Sequence, residues 1–173
     1  MEALERTGHP VPSGGIIEFG AGMGYLDDIL GDDTTSIVML DHTDEYLAQR
    51  PHPLRPRCRH VRWSPEGLDA LQAGPADHDW VISIAVFFHM DTPTAAAVIR
   101  ELGRVLRPGG HVLIHGWNPA TPEHVRGLGD RERLFSHYPN YLIDAEMLGE
   151  ALADEYDTLC DIDVFLLRKR PPT

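Results

Sequence analysis

The sequence predicts an α/β fold in which a parallel sheet is covered by helices on both faces. Short apolar segments alternate with helix-like segments along most of the 173 residues. The apolar segments are nearly continuous, which is typical of strands buried on both faces. A glycine-rich stretch directly follows the first apolar segment, where ligands of such sheets often bind.

The predicted elements follow one another in strict alternation. Strands are expected at 16–19, 36–40, 60–63, 79–86 and 111–116, with one or two more within 158–168. Helices are expected at 25–30, 44–50, 91–106 and 144–156, with a helical turn or two at 66–72. Two apolar helix faces are predicted to pack into the core: Leu26/Ile29/Leu30 and Val98/Leu102/Val105/Leu106.

The length fits one domain spanning residues 1–173. Residues 117–143 show no clear period, although they contain aromatic side chains including Trp117, Tyr138 and Tyr141. Such a segment is typical of a functional loop or a small insertion, here expected on the substrate side.

Charge and composition narrow the classes of function. The net charge is −12, and ten acids against two arginines in the first fifty residues carry −8 of it. Such a surface repels nucleic acid, because nucleic-acid affinity depends mostly on neutralising phosphates. No apolar run reaches the roughly 20 residues of a membrane span, and no signal peptide is visible. Two distant cysteines fit a cytoplasmic protein with free thiols.

The stretch EFGAGMG, residues 18–24, carries the most specific signal. Its glycines allow a tight turn and a close approach of a ligand to the backbone. A dinucleotide site would require the spacing G-x-G-x-x-G, whereas this stretch has G-x-G-x-G with Tyr25 where the third dinucleotide glycine would be.

With Glu18 two residues before Gly20, the stretch resembles motif I of the class I S-adenosylmethionine-dependent methyltransferases. Asp41 at the end of the second strand matches the acid that binds the ribose hydroxyls in that family. The segments DWVISIAVFFHM and IRELGRVLRPGGHVLIHGW are similar to its fourth-strand and fifth-strand regions, the latter in the small-molecule branch. The resemblance implies a three-layer Rossmann-like sandwich with a mostly parallel seven-stranded sheet and an antiparallel last strand.

The resemblance also implies S-adenosyl-L-methionine as cofactor and a set of residues that bind it. Glu18 is expected to orient the glycine loop or meet the cofactor's ammonium, and Asp41 to accept both ribose hydroxyls. Trp63 and Ser64 depart from the usual acid and small residue there, and are candidates to flank the adenine. The full predicted set is Glu18, Gly20, Ala21, Gly22, Gly24, Asp41, His42, Trp63, Ser64 and Ala85.

Candidates for a general base are less specific. They are His89, His115 and Tyr138, and a structural role is an open alternative for each. No metal site is expected, because the ten histidines form no ligand spacing. The run RPRCRHVR, residues 55–62, is interpreted as a solvated edge rather than as an anion site.

These signals favour transfer of a methyl group to a small-molecule acceptor. Only about fifteen residues precede the first strand, so the helices that usually roof the acceptor pocket are expected to be missing. The roof would then come from residues 117–143, a second chain or a partner, and the acceptor could be presented on a carrier. Two alternative functions remain open: an enzyme that uses the sulfonium differently, and a non-catalytic subunit that binds the cofactor. A homodimer is also possible on this fold.

Overall fold

A computed structural model describes residues 8–64, 76–115, 119–120, 143–161 and 164–172. The predicted turn at 66–72, most of the 117–143 segment and the side chains of Trp117, Tyr138 and Tyr141 lie outside the described residues. No helix among the described ranges is long and apolar enough to cross a membrane.

Nine strands and three α-helices are described. The strands are β1 (Gly14–Phe19), β2 (Thr34–Asp41), β3 (Cys58–Arg62), β4 (His78–Ile84), β5 (Leu106–His115), β6 (Pro119–Ala120), β7 (Ile143–Asp144), β8 (Tyr156–Asp161) and β9 (Val164–Lys169). The helices are α1 (Leu26–Ile29), α2 (Thr92–Gly103) and α3 (Ala145–Leu152). Short 3₁₀ turns cover Leu47–Gln49 and Phe87–His89.

Seven strands form one sheet in the order β3-β2-β1-β4-β5-β9-β8. The five strands from β3 to β5 are parallel, whereas β9 runs antiparallel to both of its neighbours. This confirms the predicted seven-stranded, mostly parallel sheet with an antiparallel last strand. β6 and β7 form a separate two-stranded pair.

The core lies on both faces of the sheet, because successive residues of each strand point to opposite sides. On one face, Ile17, Val38 and Val81 pack with α2 and α3. On the other, Ile16 and Ile37 pack with α1. The apolar strands are therefore continuous for the reason inferred from the sequence, burial on both sides.

Helix α1 is shorter than predicted and turns a different face inward. Leu26 and Leu30 are buried as expected, but Ile29 is 59% exposed, so its predicted core position is wrong. The carboxylate of Asp27 is fully buried instead. A helix of this length has little stability of its own, so tertiary contacts decide its orientation.

Those contacts come from Arg57 at the start of β3. Its guanidinium donates to Asp27 Oδ1 at 3.0 Å and to the carbonyls of Asp27, Leu30 and Gly31 at 3.1, 3.0 and 2.8 Å. It therefore satisfies the carbonyls that the end of a helix leaves without partners. The interpretation of 55–62 as a solvated edge holds for the exposed Arg59 and Arg62 but is wrong for Arg57, which binds a buried internal anion.

Helix α2 begins as the sequence predicts. Asp91 is its N-cap and accepts a hydrogen bond from the Thr94 amide at 2.9 Å. The helix ends at Gly103, three residues earlier than expected, and Leu106 already belongs to β5. The predicted buried positions Leu102, Val105 and Leu106 lie in the core, while Val98 packs only partly against it.

Other element boundaries also differ from the prediction. The segment 44–50 forms only the 3₁₀ turn Leu47–Gln49, and α3 ends at Leu152 instead of reaching residue 156. Tyr156 instead begins β8, and its ring is buried against α2. Packing on the sheet, which local propensity does not encode, sets these ends.

Candidate functional site

The candidate site lies where the order of the strands reverses. β1 and β4 are neighbours in the sheet, but β2 and β3 extend to one side and β5 to the other. Open α/β sheets bind ligands outside the carboxyl ends of the strands at this point. The loops after β1 and β4 meet here, since a Cβ on Gly20 would overlap the side chain of Val86. Ser83 strengthens the junction by donating to the Phe19 carbonyl at 3.0 Å.

The glycine loop contains three residues in the left-handed region, with φ of 73° at Gly20, 52° at Gly22 and 71° at Gly24. These values explain why glycine is required at each position. Their surroundings differ. A Cβ on Gly24 would overlap the end of Met39, whereas a Cβ on Gly22 would meet nothing within 4 Å. Gly22 alone offers open space to a ligand, and Gly20 and Gly24 serve the packing of the loop.

Asp41 ends β2 and is 5% exposed. The amide of Gly22 donates to its Oδ2 at 2.7 Å and the amide of Thr43 to its Oδ1 at 3.2 Å. The ring of His42, itself exposed, places Nδ1 3.0 Å from the same Oδ1. A carboxylate has about four lone-pair sites, two on each oxygen, so Oδ2 keeps one for a ligand hydroxyl, and Oδ1 keeps one when the exposed His42 ring turns away from it.

Glu18 precedes the glycine loop on β1 and is 6% exposed. Burial raises the pKa of its carboxyl to about 8, although a hydrogen bond from the Leu26 amide and the charge of Arg50 act in the opposite direction. Its Oε2 is buried without a hydrogen-bond partner among the described residues. Unsatisfied buried acceptors are rare and often mark the place of a ligand.

The segment after β4 begins with a strained residue. Ala85 has φ of 57°, the only positive value of a non-glycine among the described residues. This conformation costs about 1–2 kcal/mol for a residue with a Cβ. Its amide donates to the His115 carbonyl at 2.8 Å, which ties the end of β4 to the end of β5. Such outliers cluster at functional sites, where the surrounding structure maintains them.

Trp63 follows β3, and its amide donates to the Asp41 carbonyl at 2.6 Å. Its ring packs edge-to-face on Phe19, with ring centroids 4.9 Å apart. The half-buried Trp63 and Ser64 therefore lie beside the end of β2, on the Asp41 side of the site. Ala21 is buried, and its amide donates to the Leu40 carbonyl at 3.1 Å.

The candidate bases stand at the far side of the crevice. His89 is exposed in the 3₁₀ turn after β4, with its ring 4.1 Å from that of Phe88 between centroids. His115 is exposed at the end of β5. Both therefore follow strands that end at the same edge of the sheet as β1 and β2. Tyr138 lies outside the described residues.

Sequence reasoning missed Arg50, which contacts the glycine loop from behind. Its Nη1 donates to the carbonyls of Met23 and Gly24 at 3.0 and 2.6 Å. No motif identifies this arginine. The sequence carries only an indirect signal. The first fifty residues are rich in acids, and any acid that is buried in the core requires a buried cationic partner.

The donors and acceptors fit a nucleoside that also carries an ammonium group. Asp41 supplies a carboxylate for two vicinal hydroxyls, and the buried Glu18 Oε2 supplies an acceptor without a partner. Gly22 supplies a bare backbone at the opening. No group of three or more potential metal ligands occurs in the part of the chain that the structure describes. A separate cleft of about 370 Å³, lined in part by Leu106 and Lys169, lies at the opposite edge of the sheet.

This strand order, with a glycine loop after β1 and a carboxylate at the end of β2, defines the class I S-adenosylmethionine-dependent methyltransferase fold. The methyltransferase domain family matches residues 16–110, more than half of the chain. The chain therefore belongs to the methyltransferase domain family.

Individual relatives agree with this assignment. The chain is 28% identical over 138 residues to a probable S-adenosylmethionine-dependent methyltransferase of Mycolicibacterium smegmatis. The match covers 74% of this chain but 51% of that relative, so the chain spans about half the length of the curated protein.

Two solved structures share the fold. An O-methyltransferase family protein from Burkholderia thailandensis has a TM-score of 0.68 at 18% identity, covering 91% of this chain and 51% of the other. Magnesium protoporphyrin IX methyltransferase from Synechocystis PCC 6803, solved with bound SAH, has a TM-score of 0.62 at 17% identity, covering 98% of this chain and 80% of the other.

Proposed function

We propose that the chain binds S-adenosyl-L-methionine at the carboxyl ends of β1, β2 and β4 and transfers its methyl group to a small-molecule acceptor. The single observation that carries the proposal is the pairing of Asp41 with Gly22. A nearly buried carboxylate and an open, left-handed glycine are joined by a 2.7 Å hydrogen bond at the strand switch point. Family membership supports the same activity.

The residues that would hold the cofactor divide by chemistry. Asp41 would accept the two ribose hydroxyls in charge-assisted hydrogen bonds. Glu18 would meet the ammonium through its unpartnered Oε2. Trp63 and Ser64 would flank the adenine, next to His42. Ala85, with Gly20, Ala21 and Gly24 on the opposite wall, would shape the crevice.

The bound cofactor supplies an activated methyl group on a sulfonium, and the chain's own task is alignment. Holding an acceptor in line with that group is worth about 7–11 kcal/mol of the barrier in favourable cases. The rigid ends of β4 and β5, joined through Ala85 and His115, would form the floor for this alignment. His89, His115 or Tyr138 would take a proton from a hydroxyl or ammonium acceptor, a further ~10²–10⁴-fold effect.

The site of the acceptor and the setting of the protein are also proposals. We infer that residues 117–143 belong to the acceptor side, because they combine aromatic side chains with no regular period, as functional loops often do. The acidic composition fits a single domain in the cytoplasm. The acceptor would reach the site as a free molecule, on a carrier or through a partner chain. β8, which is the last strand of the sheet among the described residues, would suit a homodimer.

Calorimetric titration with S-adenosylmethionine and S-adenosylhomocysteine tests the proposal. Wild-type protein should bind both ligands, and Asp41→Asn should weaken binding by about 10–100-fold, as expected for lost hydrogen bonds to a charged group. Asp44→Asn, an exposed acid three residues away, is the matched control and should bind like wild type. Binding of neither ligand by wild type would refute the proposal for this chain.

A second function is favoured by one feature, the exposure of both candidate bases His89 and His115. A chain that binds the cofactor without transferring methyl, or that uses the sulfonium otherwise, would not require a secluded base. Turnover decides between them, because methyl transfer accumulates S-adenosylhomocysteine in proportion to methylated acceptor. If the chain binds the cofactor but forms no S-adenosylhomocysteine with any acceptor until a partner is added, it is a cofactor-binding subunit of a larger enzyme.

A further inference from the structure

Arg50 follows the 3₁₀ turn after β2 and reaches the rear of the glycine loop. Its Nη1 donates to the Met23 and Gly24 carbonyls at 3.0 and 2.6 Å, and its Nη2 to Asp28 Oδ1 at 2.5 Å. The buried Asp27 Oδ2 lies 4.0 Å from the same nitrogen. One side chain therefore contacts two consecutive peptide groups of the loop and the acids that open α1.

Arg50 is almost completely buried. Its side chain is 4% exposed, and its Nε is buried with no hydrogen-bond partner among the described residues. A buried donor without a partner destabilises the fold. Arg57, by contrast, uses all three of its guanidinium nitrogens in hydrogen bonds to α1 and its flanks. Arg57 has the contacts of a structural clamp, whereas Arg50 is held in place for the two loop carbonyls.

The two carbonyls determine how the loop presents its amides. The C=O and N–H of one peptide point in opposite directions, because the peptide group is planar and trans. When Arg50 binds the Met23 carbonyl, the Gly24 amide is turned the other way, and it donates to the Ala21 carbonyl at 2.8 Å. This closes the turn over residues 21–24 with Gly22 at its open side.

The positive charge of Arg50 has a second consequence. The negative charges of Asp27 and Asp41 raise the pKa of Glu18, whereas the positive charge of Arg50 lowers it. A cationic ligand at Glu18 would be attracted by its carboxylate and repelled by a nearby cation. Because Arg50 is bound to Asp28 and lies near Asp27, its charge is partly compensated on the side away from the ligand.

We propose that Arg50 is a positioning residue of the cofactor site, which holds residues 21–24 in their binding geometry through the Met23 and Gly24 carbonyls. The inference rests on the proposed function, since it takes this loop to be the cofactor loop. Arg50 acts through the backbone of the loop, so we expect its loss to change cofactor affinity and the order of the loop.

The test compares Arg50→Met and Arg50→Lys with a matched control, Arg100→Met. Arg100 also donates to a backbone carbonyl, that of Ala151, and to a carboxylate, Glu155, but it joins α2 to the end of α3, away from the loop. Thermal unfolding identifies a temperature at which every variant is folded. At that temperature the dissociation constant for S-adenosylhomocysteine and the hydrogen exchange of the Gly24 amide are measured.

Arg50→Met should raise the dissociation constant about 10–100-fold, the effect expected for losing hydrogen bonds to a charged group, and should speed exchange at Gly24 at least about tenfold. Arg50→Lys should bind more tightly than Arg50→Met but at least about fivefold more weakly than wild type, because an ammonium retains the charge without the planar fork. Arg100→Met should lower the midpoint of unfolding and leave both loop measurements unchanged.

Two results would overturn the inference. One is an Arg50→Met protein, or an Arg50→Lys protein if the former does not fold, that binds S-adenosylhomocysteine within threefold of wild type. The other is unchanged exchange at Gly24. Failure of the proposed function is distinguishable, because wild type itself would then bind neither ligand while the exchange measurement still decides whether Arg50 holds the loop.

Discussion

Arg57 Nε lies 3.0 Å from Oδ1 of Asp27, whose side chain is completely buried, and this pair fixes the short helix that follows the glycine loop. The two residues are thirty positions apart and come from different elements, the start of β3 and the first turn of α1. A four-residue helix cannot hold its own orientation. The glycine loop is therefore anchored at its far end through a buried ion pair.

Arg57→Met should lower the free energy of unfolding by up to about 3–5 kcal/mol, because it removes the nearest cation from the buried Asp27 carboxylate and leaves only Arg50 and Arg55 nitrogens at 4.0 and 3.9 Å. Urea unfolding at pH 7 measures the loss. Arg107→Met is the matched control. Arg107 pairs with Asp79 but is 59% exposed, and exposed pairs contribute at most about 1 kcal/mol. A loss for Arg57→Met no larger than that for Arg107→Met would contradict the assignment of this pair.

The same variant should respond to acid in a characteristic way. Burial alone would raise the pKa of Asp27, but hydrogen bonds from the Arg55 amide, Arg57 and Cys58 outweigh it and lower the pKa. In wild type this contribution to stability is present above the ordinary pKa and is lost only at more acidic pH. Without Arg57, the hydrogen bonds from the Arg55 amide and Cys58 remain, but the pKa rises and the carboxyl takes up a proton more readily. The stability deficit of the variant should therefore narrow as the pH falls toward the ordinary value of 3.8.

Glu18→Gln should flatten the dependence of stability on pH. Burial raises the pKa of Glu18 from its ordinary 4.5 to about 8, so between these values the native state binds more protons than the unfolded state. Wild-type stability from this group is thus complete below about pH 4.5 and falls as pH rises toward 8, by at most about 1.4 kcal/mol per unit. Urea unfolding from pH 5 to 9 should show this fall in wild type and not in Glu18→Gln.

The exposed Glu45→Gln is the control and should follow the wild-type curve. Parallel curves for wild type and Glu18→Gln would show that the buried carboxyl does not titrate in this range. If Glu18 meets the cofactor's ammonium, cofactor binding should also release a proton below pH 8, since the carboxyl must ionise. Calorimetry in buffers of different ionisation enthalpy measures that release.

Gly22→Ala should separate backbone strain from ligand access. Gly22 and Gly109 both have left-handed φ values, 52° and 80°, and an added Cβ meets nothing within 4 Å at either position. Alanine should therefore cost each site about 1 kcal/mol of stability. Only Gly22→Ala should also weaken S-adenosylhomocysteine binding, by at least about tenfold, because its methyl group projects into the open side of the loop. Equal affinities in the two variants would place the ligand elsewhere.

Much of the fold could be predicted from the sequence. Continuous apolar runs, the Asp91 cap and the glycine stretch are local signals, and they correctly indicated a parallel sheet, the start of α2 and the family. The roles assigned to Glu18, Asp41 and the histidines stay predictions. They depend on a ligand that only binding measurements can place.

The apolar pattern of the sequence indicated most strands of the main sheet, because burial on both faces requires uninterrupted apolar residues. It could not determine which face of α1 points inward. Periodicity predicted that Ile29 would be buried, yet Ile29 is exposed and Asp27 is buried. Asp27 is buried because it pairs with Arg57, which is thirty residues away in sequence but 3.0 Å away in space. The same reason hid Arg50, whose contacts with Met23 and Gly24 exist only after β2 has brought it behind the loop. The tertiary structure decides which buried charges pair. The energy of such a pair depends on a distant partner and on the exclusion of water, and a short segment of sequence specifies neither.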